Sequence, residues 1–154
     1  MPVEFGDTEW TTKSVGGATL AAVAQAISQM DEAAKTEWFP AYTADTADGA
    51  LINVAVTVRT KVTMPQWSGY DNATQAEKDE WDRFFIALRA HEQGHLDLVT
   101  SQLSGIDDRL SGHSTSDASA TWTNALRELT SASNAYDASN DHGRSQGTVI
   151  SVSP

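Results

Sequence analysis

A long helical stripe that contains two histidines runs through the middle of this sequence. Apolar residues recur at spacings of three and four between Trp81 and Leu110, which is the period of one face of an α-helix. The stripe comprises Trp81, Phe84, Phe85, Leu88, His91, Glu92, His95, Leu96, Val99, Leu103, Ile106 and Leu110. Thr74 followed by Glu77 is a capping-box pattern. We therefore predict one helix from Thr74 to about Arg109.

The sequence His91-Glu92-Gln93-Gly94-His95 within this stripe matches the pattern H-E-x-x-H. Residues four apart lie one turn apart on the same helix face, so both imidazoles can bind one metal ion. Zinc lowers the pKa of its bound water to about 7, and a neighbouring carboxylate can then take the proton. The pattern predicts one zinc ion bound by His91 and His95, with Glu92 as the catalytic base.

The five-residue pattern also occurs by chance, in which case it contains two helix histidines and a surface glutamate. Two observations argue against chance. Ionisable side chains in line with apolar ones destabilise a fold unless something pairs them, and a metal ion would do so. Gly94 also lies inside the helix, where glycine costs about 1 kcal/mol relative to alanine. A glycine here predicts the close approach of another chain segment or of a substrate.

A catalytic zinc ion usually has three protein ligands and one open position. We favour His142 as the third ligand, because the flanking Gly143 lets the backbone turn the imidazole towards the metal. A histidine six residues after the second one is absent, since position 101 is serine. The alternatives are His113 in a polar linker, or an acidic ligand: Glu128, Asp137 or Asp141.

Further candidates lie around this motif. Tyr136 is predicted to be catalytic as a hydrogen-bond donor to the developing oxyanion, and Arg144 is an alternative donor. Tyr136 can equally be a core aromatic on its own helix stripe. Asp97 either orients a histidine or is an exposed helix aspartate, and we favour the second interpretation.

Alternating apolar and polar residues predict a half-buried strand over residues 51–64. The residues predicted to lie on its buried face are Ile52, Val54, Val56, Val58, Val62 and Met64. Asp48-Gly49 is a hairpin signal, which makes Trp38–Thr46 the expected partner strand. We expect strand 51–64 to border a cleft, where a substrate peptide could bind by strand addition.

The other expected elements are shorter. Residues 3–15 are predicted to form a strand, and Ala18 to about Lys35 an amphipathic helix. A polar linker over residues 111–119 precedes a last helix that carries apolar residues from Trp122 to Tyr136. A terminal strand is predicted over Thr148–Val152.

Length and charge narrow the functional classes. A chain of 154 residues fits one domain spanning 1–154. A formal net charge of -11 disfavours nucleic acids and anionic membranes as partners. The absence of cysteine excludes disulfides and a thiol nucleophile. No apolar run approaches the roughly 20 residues that span a bilayer, and the first residues lack the signal-peptide pattern, which is compatible with a cytoplasmic protein.

Several short motifs together resemble a bacterial family of predicted secreted zinc-dependent proteases, long classed as a domain of unknown function. The motifs are Val15-Gly16-Gly17, Met64-Pro65-Gln66-Trp67, the stretch from Ala90 to His95, Tyr136-Asp137, His142-Gly143 and Gln146-Gly147. The resemblance implies a compact zincin-like α+β fold, a single zinc ion, His142 as a ligand, and secretion or a periplasmic location.

These inferences combine into one expectation. The fold is α+β, with a small, mostly antiparallel sheet packed on the long motif helix and two further helices. The function is that of a zinc metallopeptidase, a hydrolase that cleaves peptide bonds with a zinc-bound water activated by Glu92. The alternatives are a zinc hydrolase of small esters or amides, and a non-catalytic binding module stabilised by metal. We expect a monomer that acts on a peptide or protein substrate.

Overall fold

The computed structural model describes residues 3–152, and within that range every strand pairs with one central strand. The strands are β1 (Glu4–Phe5), β2 (Glu9–Val15), β3 (Lys35–Ala47) and the central strand β4 (Ala50–Trp67). The helices are α1 (Leu20–Ser28), α2 (Gln75–Leu103), α3 (Ile106–Leu110) and α4 (Thr115–Ser139). Single 3-10 turns lie at Tyr70–Asn72 and Arg144–Gln146. The expected mixture of one sheet with the motif helix and further helices is confirmed.

The sheet is not mostly antiparallel, so that part of the expected fold is wrong. β3 and β4 form the expected antiparallel hairpin, and its turn residues Asp48 and Gly49 have φ of 52° and 79°, as a two-residue hairpin turn requires. β1 and β2 instead pair with β4 in parallel. Alternation of apolar residues marks a half-buried strand but carries no information about the direction of its partner. Parallel pairing needs a long crossover, which α1 and β3 provide here.

A β-bulge near the start of β4 changes which residues face the core. The strand register shifts between Thr43 and Asp45, and Asn53 has a left-handed φ of 52°. An extra residue in one strand reverses the alternation of side chains. Leu51 is therefore buried, whereas Ile52, predicted to be buried, is 41% exposed. After the bulge, the remaining residues that were predicted to lie on the buried face are buried, which confirms the prediction for the rest of the strand.

The motif helix begins where the sequence predicts and ends earlier. The capping box is present: Thr74 Oγ1 accepts from the Glu77 N–H, and the Glu77 side chain accepts from the Thr74 N–H. α2 ends at Leu103 rather than at about Arg109, because Gly105 has a left-handed φ of 77°. The apolar stripe then continues on the separate helix α3.

Two other predicted elements differ from the expectation. α1 ends at Ser28 instead of about Lys35, and Lys35 is already the first residue of β3, which pairs with β4. Residues 148–152, predicted as a strand, join no strand of the described range. Their backbone is anchored to α2 instead, where Arg83 donates to the Val149 carbonyl. The described helices include none that is long and apolar enough to cross a membrane.

The buried apolar residues fall into two groups. One group joins β2, α1 and the end of β4 to α2, where it extends past the motif histidines to Leu96. The other joins the first half of β4 to α3, α4 and the second half of α2, from Val99 onwards. His91 and His95 lie between Leu88 and Val99 along α2, and both are buried. The fold therefore places a polar site in the middle of its core.

Candidate metal centre

Three side chains from α2 and α4 converge on one point. Asp137 Oδ1 lies 3.0 Å from His91 Nε2 and 2.9 Å from His95 Nε2. The three ligand atoms all lie within 4.8 Å of one another. Both histidines are buried and Asp137 is partly buried. Imidazole nitrogens and a carboxylate oxygen are typical ligands of zinc.

The hydrogen-bonding chemistry of this group fits a bound cation. Gln146 Oε1 lies 2.7 Å from His91 Nδ1. A carbonyl oxygen can only accept, so Nδ1 carries the hydrogen and His91 Nε2 has a free lone pair when the ring is neutral. That lone pair faces the carboxylate of Asp137. Two acceptors at this distance repel each other unless a proton or a metal ion lies between them. A divalent ion would satisfy all three ligand atoms together.

The second histidine is also held at its outer nitrogen. His95 Nδ1 lies 2.7 Å from Ser133 Oγ, and Ser133 is buried. Ser133 precedes Asp137 by one helical turn on α4, so both side chains face α2. Metal-binding histidines generally bond their second ring nitrogen to a polar partner in this way, which fixes the ring orientation. Both histidines here have such a partner.

Tyr136 packs directly against the motif helix. Its ring stacks on His91 with a centroid distance of 5.0 Å and an interplanar angle of 14°. Its hydroxyl donates to the His91 carbonyl oxygen at 2.9 Å. A β-carbon on Gly94 would overlap the phenol group. The close approach of another chain segment at Gly94 is therefore made by Tyr136.

Glu92 lies beside the three ligand atoms but is not among them. Its carboxylate is buried and accepts a hydrogen bond of 2.5 Å from Thr36 Oγ1 on β3. Burial raises the pKa of the Glu92 carboxyl above its ordinary value, and the bond from Thr36 opposes part of that rise. Glu92 lines a cavity of about 670 Å³ together with His91, His95 and Asp137. A buried carboxylate thus borders the same space as the candidate ligands.

His142, the ligand favoured from the sequence, is placed differently. It is exposed and lines the same cavity, but the group of ligand atoms contains Asp137 instead. α4 continues to Ser139, so Asp137 lies on the same helix face as Ser133, whereas His142 lies beyond the end of the helix. The His142 N–H donates to the Asp137 carbonyl oxygen at 2.7 Å. The structure thus brings the acidic alternative, rather than His142, to the histidines.

The remaining candidates stay outside this group. Glu128 and Asp141 are exposed, and His113 lies in the loop between α3 and α4. Asp97 is an exposed helix aspartate, in agreement with the interpretation that we favoured. Arg144 lines the cavity.

The loop after α4 follows an unusual backbone path around His91. Residues Asp141–Gly143 have consecutive left-handed φ angles of 53°, 55° and 88°. The buried Asn140 stabilises this turn, because its Oδ1 accepts from the Gly143 N–H at 2.7 Å. A β-carbon on Gly143 would lie 3.1 Å from His91 Cγ. This path brings Gln146 to His91, and left-handed residues other than glycine are typical of functional sites.

Three residues that hold the site have no role predicted from the sequence: Thr36, Ser133 and Gln146. Ser133 could have been found from Asp137, since the two are four residues apart on one helix. Gln146 belongs to the Gln146-Gly147 motif, but its partner was not evident. Thr36 carries no local signal, because only the packing of β3 on α2 brings it to Glu92.

Comparison with known proteins places the chain in a family but assigns no activity. No curated protein and no solved structure matches it. The family model described as "Bacterial protein of unknown function (DUF922)" matches residues 10–143. That range contains Glu92 and the three candidate ligands. The chain therefore belongs to the DUF922 family of bacterial proteins.

Proposed function

We propose that this chain is a zinc-dependent peptidase in which His91, His95 and Asp137 hold one zinc ion and Glu92 is the catalytic base. The observation that carries the proposal is the approach of Asp137 Oδ1 to within 3.0 Å of both Nε2 atoms. A buried carboxylate lines the same cavity. When bound, zinc supplies a Lewis acid that polarises a carbonyl group and makes water more acidic.

Glu92 takes the proton from the attacking water and later passes it to the leaving amine. Its environment suits the role of a base, because burial raises the pKa of its carboxyl above the ordinary value and so makes Glu92 a stronger base than an exposed glutamate. The hydrogen bond from Thr36 holds the carboxylate in one orientation. Precise placement of a base contributes to catalysis by reducing the reorganisation needed in the transition state.

The sheet supports an extended peptide as the substrate, although not on the strand expected from the sequence. Within residues 3–152, β4 pairs with β3 along one edge and with β1 and β2 at residues 57–58 and 61–67 of the other, so little of strand 51–64 is left for strand addition. Within residues 3–152, β3 pairs only with β4, which leaves its outer edge without a strand partner. Lys35, Thr36 and Trp38 of β3 line the cavity. A peptide added to this edge would pass beside Glu92.

Hydrolysis of small esters or amides is the second candidate, and the size of the cavity favours it as much as it favours a peptide. A cavity of about 670 Å³ falls in the range of small-molecule sites. A purely structural metal site would be closed to solvent and ligands, whereas this group opens into a cavity. A location outside the cytoplasm and a monomeric state remain predictions.

The test combines metal analysis with two substrate panels. The zinc-loaded chain and Glu92→Gln are assayed on a fluorogenic peptide library and on small esters. We expect one zinc ion per chain in both proteins and peptide cleavage by the unaltered chain alone. Cleavage of esters without any cleavage of peptides would select the second candidate. Zinc binding without turnover of either panel would indicate a binding module.

A further inference from the structure

We infer that Gln146 and Tyr136 are positioning residues, which form with His91 a closed ring of three hydrogen bonds that presents His91 Nε2 to the metal. The inference rests on the proposed function, since it assigns roles towards the proposed zinc ion. Gln146 and Tyr136 belong to different parts of the chain: Tyr136 is on α4, and Gln146 is in the turn Arg144–Gln146 that follows it.

The donors and acceptors of the ring can be assigned from chemistry. The His91 carbonyl oxygen can only accept, so the Tyr136 hydroxyl proton lies in that 2.9 Å bond. The phenol oxygen is then an acceptor, and Gln146 Nε2 donates to it at 3.2 Å. The remaining amide atom, Gln146 Oε1, accepts from His91 Nδ1 at 2.7 Å. The opposite amide orientation would place Oε1 against a phenol oxygen whose proton is already used.

The ring dictates which nitrogen of His91 carries the hydrogen. Nδ1 is the donor, which leaves Nε2 unprotonated in the neutral ring, as a metal ligand must be. The stacked ring of Tyr136 also restrains rotation of the imidazole. His95 lacks this control, because the Ser133 hydroxyl can either donate or accept. We therefore assign the stricter control of ligand geometry to His91.

The ring also changes the role of Tyr136 relative to the one predicted from the sequence. A donor to an oxyanion needs a proton that points into the active-site cavity. The Tyr136 hydroxyl instead donates its proton to a backbone carbonyl oxygen of α2, that of His91. A positioning role and a catalytic role predict different effects of Tyr136→Phe, which removes the hydroxyl and keeps the ring.

The experiment measures zinc affinity by competition with a chelator. Gln146→Ala is expected to weaken zinc binding by about 10- to 100-fold, as loss of an outer partner of a metal-bound histidine generally does. Gln146→Glu should recover most of the affinity, because a carboxylate still accepts from His91 Nδ1. Gln93→Ala is the matched control on an exposed face of α2, and it should bind zinc like the unaltered chain.

Tyr136→Phe separates the two roles. With positioning, it weakens zinc binding, and excess zinc recovers much of the activity that is lost at limiting zinc. Normal zinc affinity with a large loss of kcat would make Tyr136 catalytic and overturn the inference. Unchanged zinc affinity in Gln146→Ala would overturn the inference as well. A zinc affinity of Gln146→Glu no higher than that of Gln146→Ala would also overturn it. Circular dichroism checks that each variant is folded. If Gln146→Ala is unfolded, the zinc affinity of Gln146→Glu tests the inference in its place. An unaltered chain that binds no zinc would refute the proposed function itself.

Discussion

Gly94 and Tyr136 require the same space, because a β-carbon on the glycine would overlap the phenol of the tyrosine. The contact lets α4 approach α2 at the level of the two histidines. From there Asp137 reaches both Nε2 atoms. The glycine in the motif therefore sets the distance between the two helices that build the site.

Gly94→Ala tests this relationship. Alanine should stabilise an isolated helix by about 1 kcal/mol, but overpacking against Tyr136 should cost about 1–3 kcal/mol. We therefore expect lower stability in urea unfolding of the zinc-free protein, together with weaker zinc binding. The control is Ala90→Gly at an exposed position of α2, which should reduce stability without weakening zinc binding. A Gly94→Ala protein that is more stable than the unaltered chain would contradict the relationship.

Asp137→Asn and His142→Ala distinguish the two candidates for the third ligand. Asp137→Asn removes the charge that faces both histidines, so its loss of zinc affinity should exceed the roughly 10- to 100-fold typical of an outer partner. His142→Ala should bind zinc like the unaltered chain, because His142 is exposed and outside the ligand group. Competition with a chelator measures the zinc affinity of both variants, and Asp141→Asn is the control at an exposed acidic residue. The reverse pattern would restore His142 as the ligand.

Short sequence patterns predicted the parts of the fold that depend only on interactions between neighbouring residues. The capping box at Thr74 and the hairpin turn at Asp48-Gly49 depend on neighbouring residues alone, and both are present. The parallel direction of β1 and β2 depends on contacts between distant segments, so alternation could not predict it. The bulge at Asn53 likewise reflects pairing with β3 and exposes Ile52.

The same distinction separates the predicted and unpredicted parts of the site. The spacing of His91, Glu92 and His95 is fixed by one helix, and the structure places all three beside one cavity. The choice between Asp137 and His142 depended on where α4 ends, which the sequence indicated only approximately. Thr36 reaches Glu92 from another strand, a contact that no local pattern indicates.

Thr36→Val and Thr36→Ser test whether the β3 contact orients the catalytic base. Valine keeps the shape but removes the donor to Glu92, so we expect a fall in kcat of about tenfold, corresponding to the 1–1.5 kcal/mol of one hydrogen bond. Serine keeps a hydroxyl and should retain most of the activity. Zinc affinity should change little in either variant, because Glu92 is not among the three ligand atoms. Equal activity of the valine and serine variants would show that Thr36 has no orienting role.

The segment that follows Gln146 is held to α2 by two charged side chains, and this anchor should depend on pH. Arg83 donates to the carbonyl oxygens of Gly147 and Val149, at 2.9 and 2.6 Å. Glu80 accepts from the Ser151 N–H at 2.6 Å. The segment lines the cavity through Val149, so its release would widen the space beside the histidines.

Hydrogen bonds from Arg83, and then from Ser151, lower the pKa of the Glu80 carboxyl below its ordinary value of 4.5. A group whose pKa is lower in the folded state stabilises the fold above its unfolded pKa, and that stability is lost as pH falls through the folded pKa. We therefore expect amide exchange of Ser151 in the zinc-free protein, corrected for intrinsic rates, to increase as pH falls below about 4.5. In Glu80→Gln the exchange should be faster at neutral pH and lose this dependence. Glu128→Gln, at an exposed position of α4, should behave like the unaltered chain. Equal protection of Ser151 in all three proteins at neutral pH would show that Glu80 does not anchor the segment.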